Sequence, residues 1–247
     1  MTTIRRWIAS AALVLVAGAA SADCERIRHD GIPFTVCSAS RDGPPLRLWL
    51  MDEAGAPWGD FAPLDRALRA QGQRLGFAMN GGMYHPDRRP VGLYVEDGAQ
   101  AARIVTSAGP GNFGMLPNGV FCIGDDGFAV IESRRFAEGG SDCRHATQSG
   151  PMLLIDGAPH PRFLPDSPFR AIRNGVAVSP DGATAWLAIS DVPVSFAEFA
   201  AMFAGRFGAR DALYLDGNVS RLHAPGLGRS DRGRAMGPIL GTVVAVD

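Results

Sequence analysis

The sequence predicts an α+β fold: a single disulfide-stabilised domain of mixed multi-stranded sheets with few helices, in which loops at strand ends gather around one cleft. Three observations carry this expectation. Short apolar runs separated by Gly, Pro, Asp and Asn recur from Phe34 almost to the end, the pattern of many strands joined by turns. Only two segments carry helical periodicity. Four cysteines, Cys24, Cys37, Cys122 and Cys143, are spread along the same stretch, and no repeat, low-complexity tract or linker divides it.

The expected strands are Leu46–Met51, Leu75–Met79, Val91–Val95, Val120–Ile123, Phe128–Ile131, Met152–Ile155, Asn174–Val178, Trp186–Ile189, Leu213–Leu215 and Ile239–Val246. Asp125-Asp126-Gly127 reads as the turn of a hairpin. The clearer helix begins at Ser195, whose hydroxyl caps it while Glu198 completes a capping box. Phe196, Phe199, Ala200, Phe203 and Phe207 form its apolar stripe, with Gly205 and Gly208 marking its end. An earlier helix starts near Pro63 and runs through Leu64, Ala67 and Leu68 to a stop around Gly72. So few helices exclude a regular alternating βα barrel.

Residues 1–22 read as a signal peptide: Arg5 and Arg6 precede an apolar run from Trp7 to Ala20, and Ala20-Ser21-Ala22 offers small residues at a cleavage site. The run is shorter than the ~20 residues that cross a bilayer, so no stable membrane insertion is expected after cleavage. The domain proper is then 23–247, and its destination periplasmic or secreted. All four cysteines follow the cleavage site, which fits an oxidising compartment. Three pairings are possible; those closing short loops, Cys24–Cys37 and Cys122–Cys143, are expected. The spacings lack the close Cys or His pairs of tetrahedral zinc sites.

Without its leader the chain is mildly acidic, which argues against nucleic acid as a partner. Every one of its 24 basic residues is arginine. Lysine is therefore unavailable as a Schiff base or a phosphate ligand, and an anion must be met by Arg, His or backbone N–H groups.

Four segments share a format in which an apolar strand runs into glycine beside Asn, Ser or Asp: Ala78-Met79-Asn80-Gly81-Gly82-Met83-Tyr84, Gln148-Ser149-Gly150-Pro151-Met152, Arg173-Asn174-Gly175-Val176 and Leu213-Tyr214-Leu215-Asp216-Gly217-Asn218-Val219-Ser220. Glycine lets backbone approach a ligand closely, while a rigid strand aims the polar neighbour. Any one of these alone is equally an ordinary turn. Together with Pro90-Val91-Gly92-Leu93, Pro117-Asn118-Gly119-Val120-Phe121 and Gly237-Pro238-Ile239, they stand in the order and spacing of the motifs of the phosphodiester glycosidase family. The chain resembles that family over nearly its whole length, most of all its compact bacterial branch. It departs from many members in having Asn218 and Val219 where a glycine-rich stretch follows the Asp-Gly pair.

The resemblance implies hydrolysis of a sugar joined through its anomeric carbon to a phosphodiester. An oxocarbenium-like transition state requires a carboxylate at the anomeric centre, and the departing phosphate requires positive charge or aligned N–H donors. Asp216, ending an apolar strand before Gly217, is the expected carboxylate, and Arg173, whose planar fork can hold two oxygens, the expected phosphate clamp. Asn80, Gly81, Gly82, Tyr84, Ser149, Gly150, Asn174, Gly217 and Ser220 are the expected substrate contacts. For a second carboxylate, Asp191 is preferred to Glu96, which resembles a hairpin shoulder. His85 and His223 follow glycine motifs and offer a histidine route. A serine hydrolase built on Ser149 lacks the preceding glycine of a nucleophile elbow.

No cofactor is expected. Asp125, Asp126, Asp156, Asp181 and Asp216 leave room for a divalent cation, but no compact calcium pattern is present and no metal ligands are assigned. The expected partner is a sugar phosphodiester or polysaccharide substrate. The competing reading is a non-catalytic carbohydrate-binding or envelope polysaccharide assembly protein that keeps the cleft without the reaction.

Overall fold

The computed structural model describes residues 24–246; the expected signal segment 1–22 lies outside the described residues. The chain runs β1 (Cys24–His29), β2 (Ile32–Ser40), β3 (Leu46–Trp49), α1 (Phe61–Arg69), β4 (Gln73–Asn80), β5 (Tyr94–Glu96), β6 (Ala99–Ala102), β7 (Gly119–Gly124) and β8 (Gly127–Glu132). It continues through α2 (Ser133–Gly139), β9 (His145–Ser149), β10 (Met152–Ile155), β11 (Ala158–Pro159), β12 (Asn174–Val178), β13 (Thr184–Ser190) and α3 (Phe196–Phe207). The last strands are β14 (Ala212–Asp216), β15 (Leu222–Ala224), β16 (Arg229–Ser230) and β17 (Ile239–Ala245).

These strands build three sheets in the orders β1-β2-β13-β12-β14-β10-β11, β16-β15-β4-β17-β3 and β6-β5-β9-β7-β8. Each sheet turns one face to a common interior, where Leu48, Phe77, Met79, Tyr94, Phe121, Leu187, Leu213 and Leu215 meet. The helices lie outside. Helix α3 packs Phe199, Ala200, Met202 and Phe203 against the seven-stranded sheet, α1 packs Phe61, Leu64 and Leu68 against the back of β4 and β17, and Phe136 of α2 backs Val120 and Ala146. Burying apolar side chains on both faces of each sheet, at roughly 25 cal/mol per Å², is what holds three small sheets together.

Helix α3 starts as its sequence dictates: Ser195 and Glu198 exchange both bonds of the capping box. It ends at Gly208 in the left-handed conformation. Gly205 is interior rather than terminal, because a side chain there would strike the His29 ring. Helix α1 begins earlier than Pro63 suggested, capped by Asp60, which accepts from the Ala62 N–H. The unforeseen α2 has no apolar stripe, and only the Glu132 carboxylate, accepting from the N–H groups of Arg134 and Arg135, marks its start.

Both expected disulfides are formed, Cys24–Cys37 and Cys122–Cys143, so no cysteine is left for zinc. The first joins residues directly opposite each other in the β1–β2 register. Among the described residues no helix is long and apolar enough to cross a membrane.

Burial also sets an acid limit on the fold. His145 is almost fully buried; its Nδ1 accepts the Asp97 N–H, and burial pushes its pKa down to about 4 against a weaker upward pull from Asp97. The unfolded chain then binds a proton that the folded chain refuses, so stability falls as pH drops from about 6.5 towards 4. We expect the melting temperature to fall between pH 7 and pH 5, and to fall less in His145→Asn, whose Oδ1 can keep the Asp97 bond. Identical pH slopes in melts of the two proteins would remove His145 as the cause.

Candidate active site

A cleft of about 880 Å³ opens at the end of the seven-stranded sheet where β12 begins and β14 finishes. Asn174 and Asp216 face each other across these strands, and the register slips between Asn174 and Gly175, leaving an extra residue on β14. Such a bulge re-aims the side chain beside it. Arg173, one residue before β12, and Asp216, the last residue of β14, thereby both line the cleft.

Arg173 is buried. Its Nε donates to the Val194 carbonyl (2.9 Å) and its NH2 to the Phe169 carbonyl (3.2 Å), while its guanidinium lies over the Phe196 ring, 3.7 Å from the centroid. Among the described residues it has no carboxylate within ion-pairing distance. Burial lowers its pKa, yet guanidinium does not deprotonate in proteins. The result is a fixed positive charge, held by carbonyls and an aromatic face, with hydrogen-bonding capacity left over.

Asp216 is also buried. Its Oδ1 accepts the N–H groups of Gly217 (2.6 Å) and Asn218 (2.8 Å), and no side-chain donor reaches the carboxylate among the described residues. Burial raises its pKa and the backbone N–H groups draw it back only in part. Among the described residues it is the sole acidic residue lining the cleft. Tyr214 lies alongside: burial raises the pKa of its phenol, Arg173 pulls it down and Asp216 pushes it up. Gly217 is required here because a side chain would collide with the Tyr214 hydroxyl. Tyr84 lines the opposite wall, donates to the Ala235 carbonyl (3.1 Å), and has its pKa raised by burial and by Asp216.

Of the substrate contacts expected from sequence, Tyr84 and Gly217 reach the cleft with Arg173 and Asp216. The others lie beneath it or beside it. Asn80 and Asn174 are fully buried and bonded to each other: Asn80 Nδ2 donates to Asn174 Oδ1 (3.1 Å), and Asn174 Nδ2 to the Asn80 carbonyl (3.0 Å). Asn174 Oδ1 also accepts the Asp216 N–H (3.1 Å) and the Ser220 hydroxyl (3.3 Å). Asn80 Oδ1 accepts the Arg221 N–H (2.9 Å). These polar groups join two sheets beneath the site.

Ser149 donates its buried hydroxyl to the Leu215 carbonyl (2.7 Å), which removes it as a nucleophile open to substrate. Gly81 donates to the Pro238 carbonyl (2.7 Å), Gly150 packs against Asn118, and Gly82 donates to Thr147 Oγ1 (3.2 Å). A side chain at Gly82 would strike the β9 backbone. These glycines admit neighbouring strands.

Asp191 lies elsewhere. It is ion-paired to Arg229 (2.6 Å) and accepts from Thr35 Oγ1 (3.0 Å), away from the cleft lining. Glu96 takes the Tyr94 hydroxyl and the Leu50 N–H, His223 contacts Ser230 and Phe61, and neither these nor His85 line the cleft. Among the described residues no three His, Cys, Asp or Glu side chains group so as to hold a metal ion. Tyr214, Phe196, Asn112 and Asn218 line the cleft without having been expected there. Tyr214 was findable, since it alternates with Leu213 and Leu215, which face the interior.

Residues 73–224 match the family model described as phosphodiester glycosidase. The Escherichia coli (strain K12) protein YigE, itself uncharacterized, is 33% identical over 181 residues, covering 73% of this chain and 70% of YigE. The catalytic domain of zebrafish N-acetylglucosamine-1-phosphodiester alpha-N-acetylglucosaminidase, auto-inhibited by its pro-peptide, shares the fold with a TM-score of 0.58 at 14% identity, over 89% of this chain and 81% of that one. A Burkholderia pseudomallei K96243 protein classed as exported gives a TM-score of 0.52 at 13% identity, over 85% and 74%. The protein is thus of the glycosyl phosphodiester hydrolase class. The chain belongs to the phosphodiester glycosidase family.

Proposed function

We propose that the protein is an exported hydrolase that cleaves the bond between a sugar's anomeric carbon and a phosphodiester, with the substrate in envelope or exported glycans. The observation that carries this reading is the pair of opposite, mutually unbonded charges in one cleft: among the described residues, Arg173 has no carboxylate partner and Asp216 no cationic one. Arg173 offers its remaining N–H groups to the phosphate, neutralising the charge that develops on the leaving oxygen. Asp216 meets the positive charge growing at the anomeric carbon. Its two backbone N–H bonds orient the carboxylate, and its buried setting strengthens attraction to a cationic centre.

In this scheme the bonding pair of the anomeric C–O bond leaves with the phosphate, which needs no proton from a general acid, and water then adds to the anomeric carbon while its proton passes to Asp216. In this reading Tyr84 and Asn218, which line the cleft, contact sugar hydroxyls, and Tyr214 contacts the phosphate. The two disulfides fit an oxidising compartment.

The reading is tested by incubating the protein with a panel of sugar-1-phosphodiesters and assaying free sugar and phosphomonoester together. Stoichiometric appearance of both is the expected result. Tight binding with no release across the panel would instead favour the carbohydrate-binding or assembly role.

A further inference from the structure

The segment 160–171 forms one lip of the cleft and carries a pair of exposed apolar side chains. Phe169 is 80% exposed and Leu164 69% exposed, the two largest such exposures among the described residues. Both line the cleft mouth. Isolated exposed apolar residues are ordinary; two on one segment that lines a cleft point to an interaction surface.

Their backbone is held firmly. The Ser167 N–H donates to the Leu164 carbonyl (3.2 Å) and the Phe169 N–H to Ser167 Oγ (3.3 Å). The Phe169 carbonyl accepts from the clamp guanidinium of Arg173, Arg170 pairs with Glu198 (2.6 Å), and Ala171 bridges to Val194. A loop tied to the rest of the domain at three points still presents both side chains to water.

The cleft behind this lip is amphiphilic. Met83, Phe113, Met115, Phe163 and Phe196 supply apolar wall, and Arg173 supplies a buried cation. Arg162, on the same lip, has no carboxylate partner among the described residues. The lip's own acid, Asp166, is off the cleft lining. A water-soluble glycan chain would leave the apolar tips uncovered, whereas a bilayer covers them and brings phosphate to the height of the arginines, as for an interfacially bound protein.

Building on the reaction proposed above, we infer that the lip docks Phe169 and Leu164 into a lipid surface and that the substrate is a membrane-held sugar phosphodiester whose second ester is to a lipid alcohol. The alcohol's hydrocarbon follows the apolar wall, the phosphate meets Arg173, and the sugar enters towards Asp216.

The test is co-sedimentation of the protein with vesicles of phosphatidylcholine and phosphatidylglycerol in equal parts. Wild type is expected to partition onto them, and the double variant Phe169→Ser, Leu164→Ser to partition at least about tenfold less, given the apolar area removed. Both sites are exposed, so an unchanged melting temperature checks that the variant folds. Asp216→Asn should bind vesicles like wild type, which separates docking from the chemistry. No vesicle binding by wild type, or equal binding by the double variant, would overturn the inference. So would binding to a soluble anionic polysaccharide that the double variant loses while vesicle binding is absent.

Discussion

Asp216→Asn should abolish turnover of sugar-1-phosphodiesters, lowering kcat/KM by on the order of 10³-fold or more, because the carboxylate proposed to meet the anomeric centre loses its charge. The substitution keeps an oxygen for the N–H groups of Gly217 and Asn218, so the fold should survive. Linkage gives the sign of the stability change. Burial raises the pKa of Asp216 in the folded state above its unfolded value. The folded protein therefore binds the proton more readily, and stability declines as pH rises through the unfolded value and on to the folded one. At neutral pH the ionised side chain is a cost to folding, and the variant should melt no lower than wild type. The same shift places the acid limb of kcat/KM above the ordinary aspartate value of about 3.9. Activity retained in the variant would exclude Asp216 from the reaction.

Arg173→Ala should reduce kcat/KM by roughly 10²–10³-fold, the scale for losing a preorganised donor to a developing anion. Calorimetry should show phosphate-bearing ligands weakened far more than neutral sugars; equal weakening of both would argue against a clamp. Unlike the change at Asp216, this one should also lower the melting temperature, since the Val194 and Phe169 carbonyls lose their donors and the Phe196 ring its cation. Arg173→Lys distinguishes charge from shape. An ammonium keeps the charge but loses the planar fork, so partial recovery is expected.

Much of the architecture was legible because apolar runs and turn residues report strands directly. Met152–Ile155 and Asn174–Val178 fall where the pattern puts them, and the Ser195 capping box announces α3. Strand β9 escaped notice for a physical reason. His145-Ala146-Thr147-Gln148-Ser149 is fully buried yet mostly polar, its side chains consumed in bonds such as Gln148 Oε1 accepting from Leu93 and Val105. A hydrophobic pattern cannot report a strand buried by hydrogen bonding.

The site divides along the same line. Arg173 and Asp216 were readable as charges next to glycine-bearing strand ends, and the fold brings them to one cleft. Asn80, Asn174 and Ser149 have the composition of ligand-binding residues, but sequence does not say which way a side chain points, and their partners turn out to be other strands. The bulge on β14 that aims Asp216 is equally silent, because it arises from pairing with a strand some forty residues away.

The amide of Asp216 hangs from the same Asn174 oxygen that takes Asn80 and Ser220. The carboxylate proposed to react is therefore indexed to the deep scaffold, while the rim proposed to greet incoming molecules is a separate surface segment. Descendants of such a design can exchange their guest by rewriting that rim and leave the trigger undisturbed, so the two properties are free to evolve on different schedules.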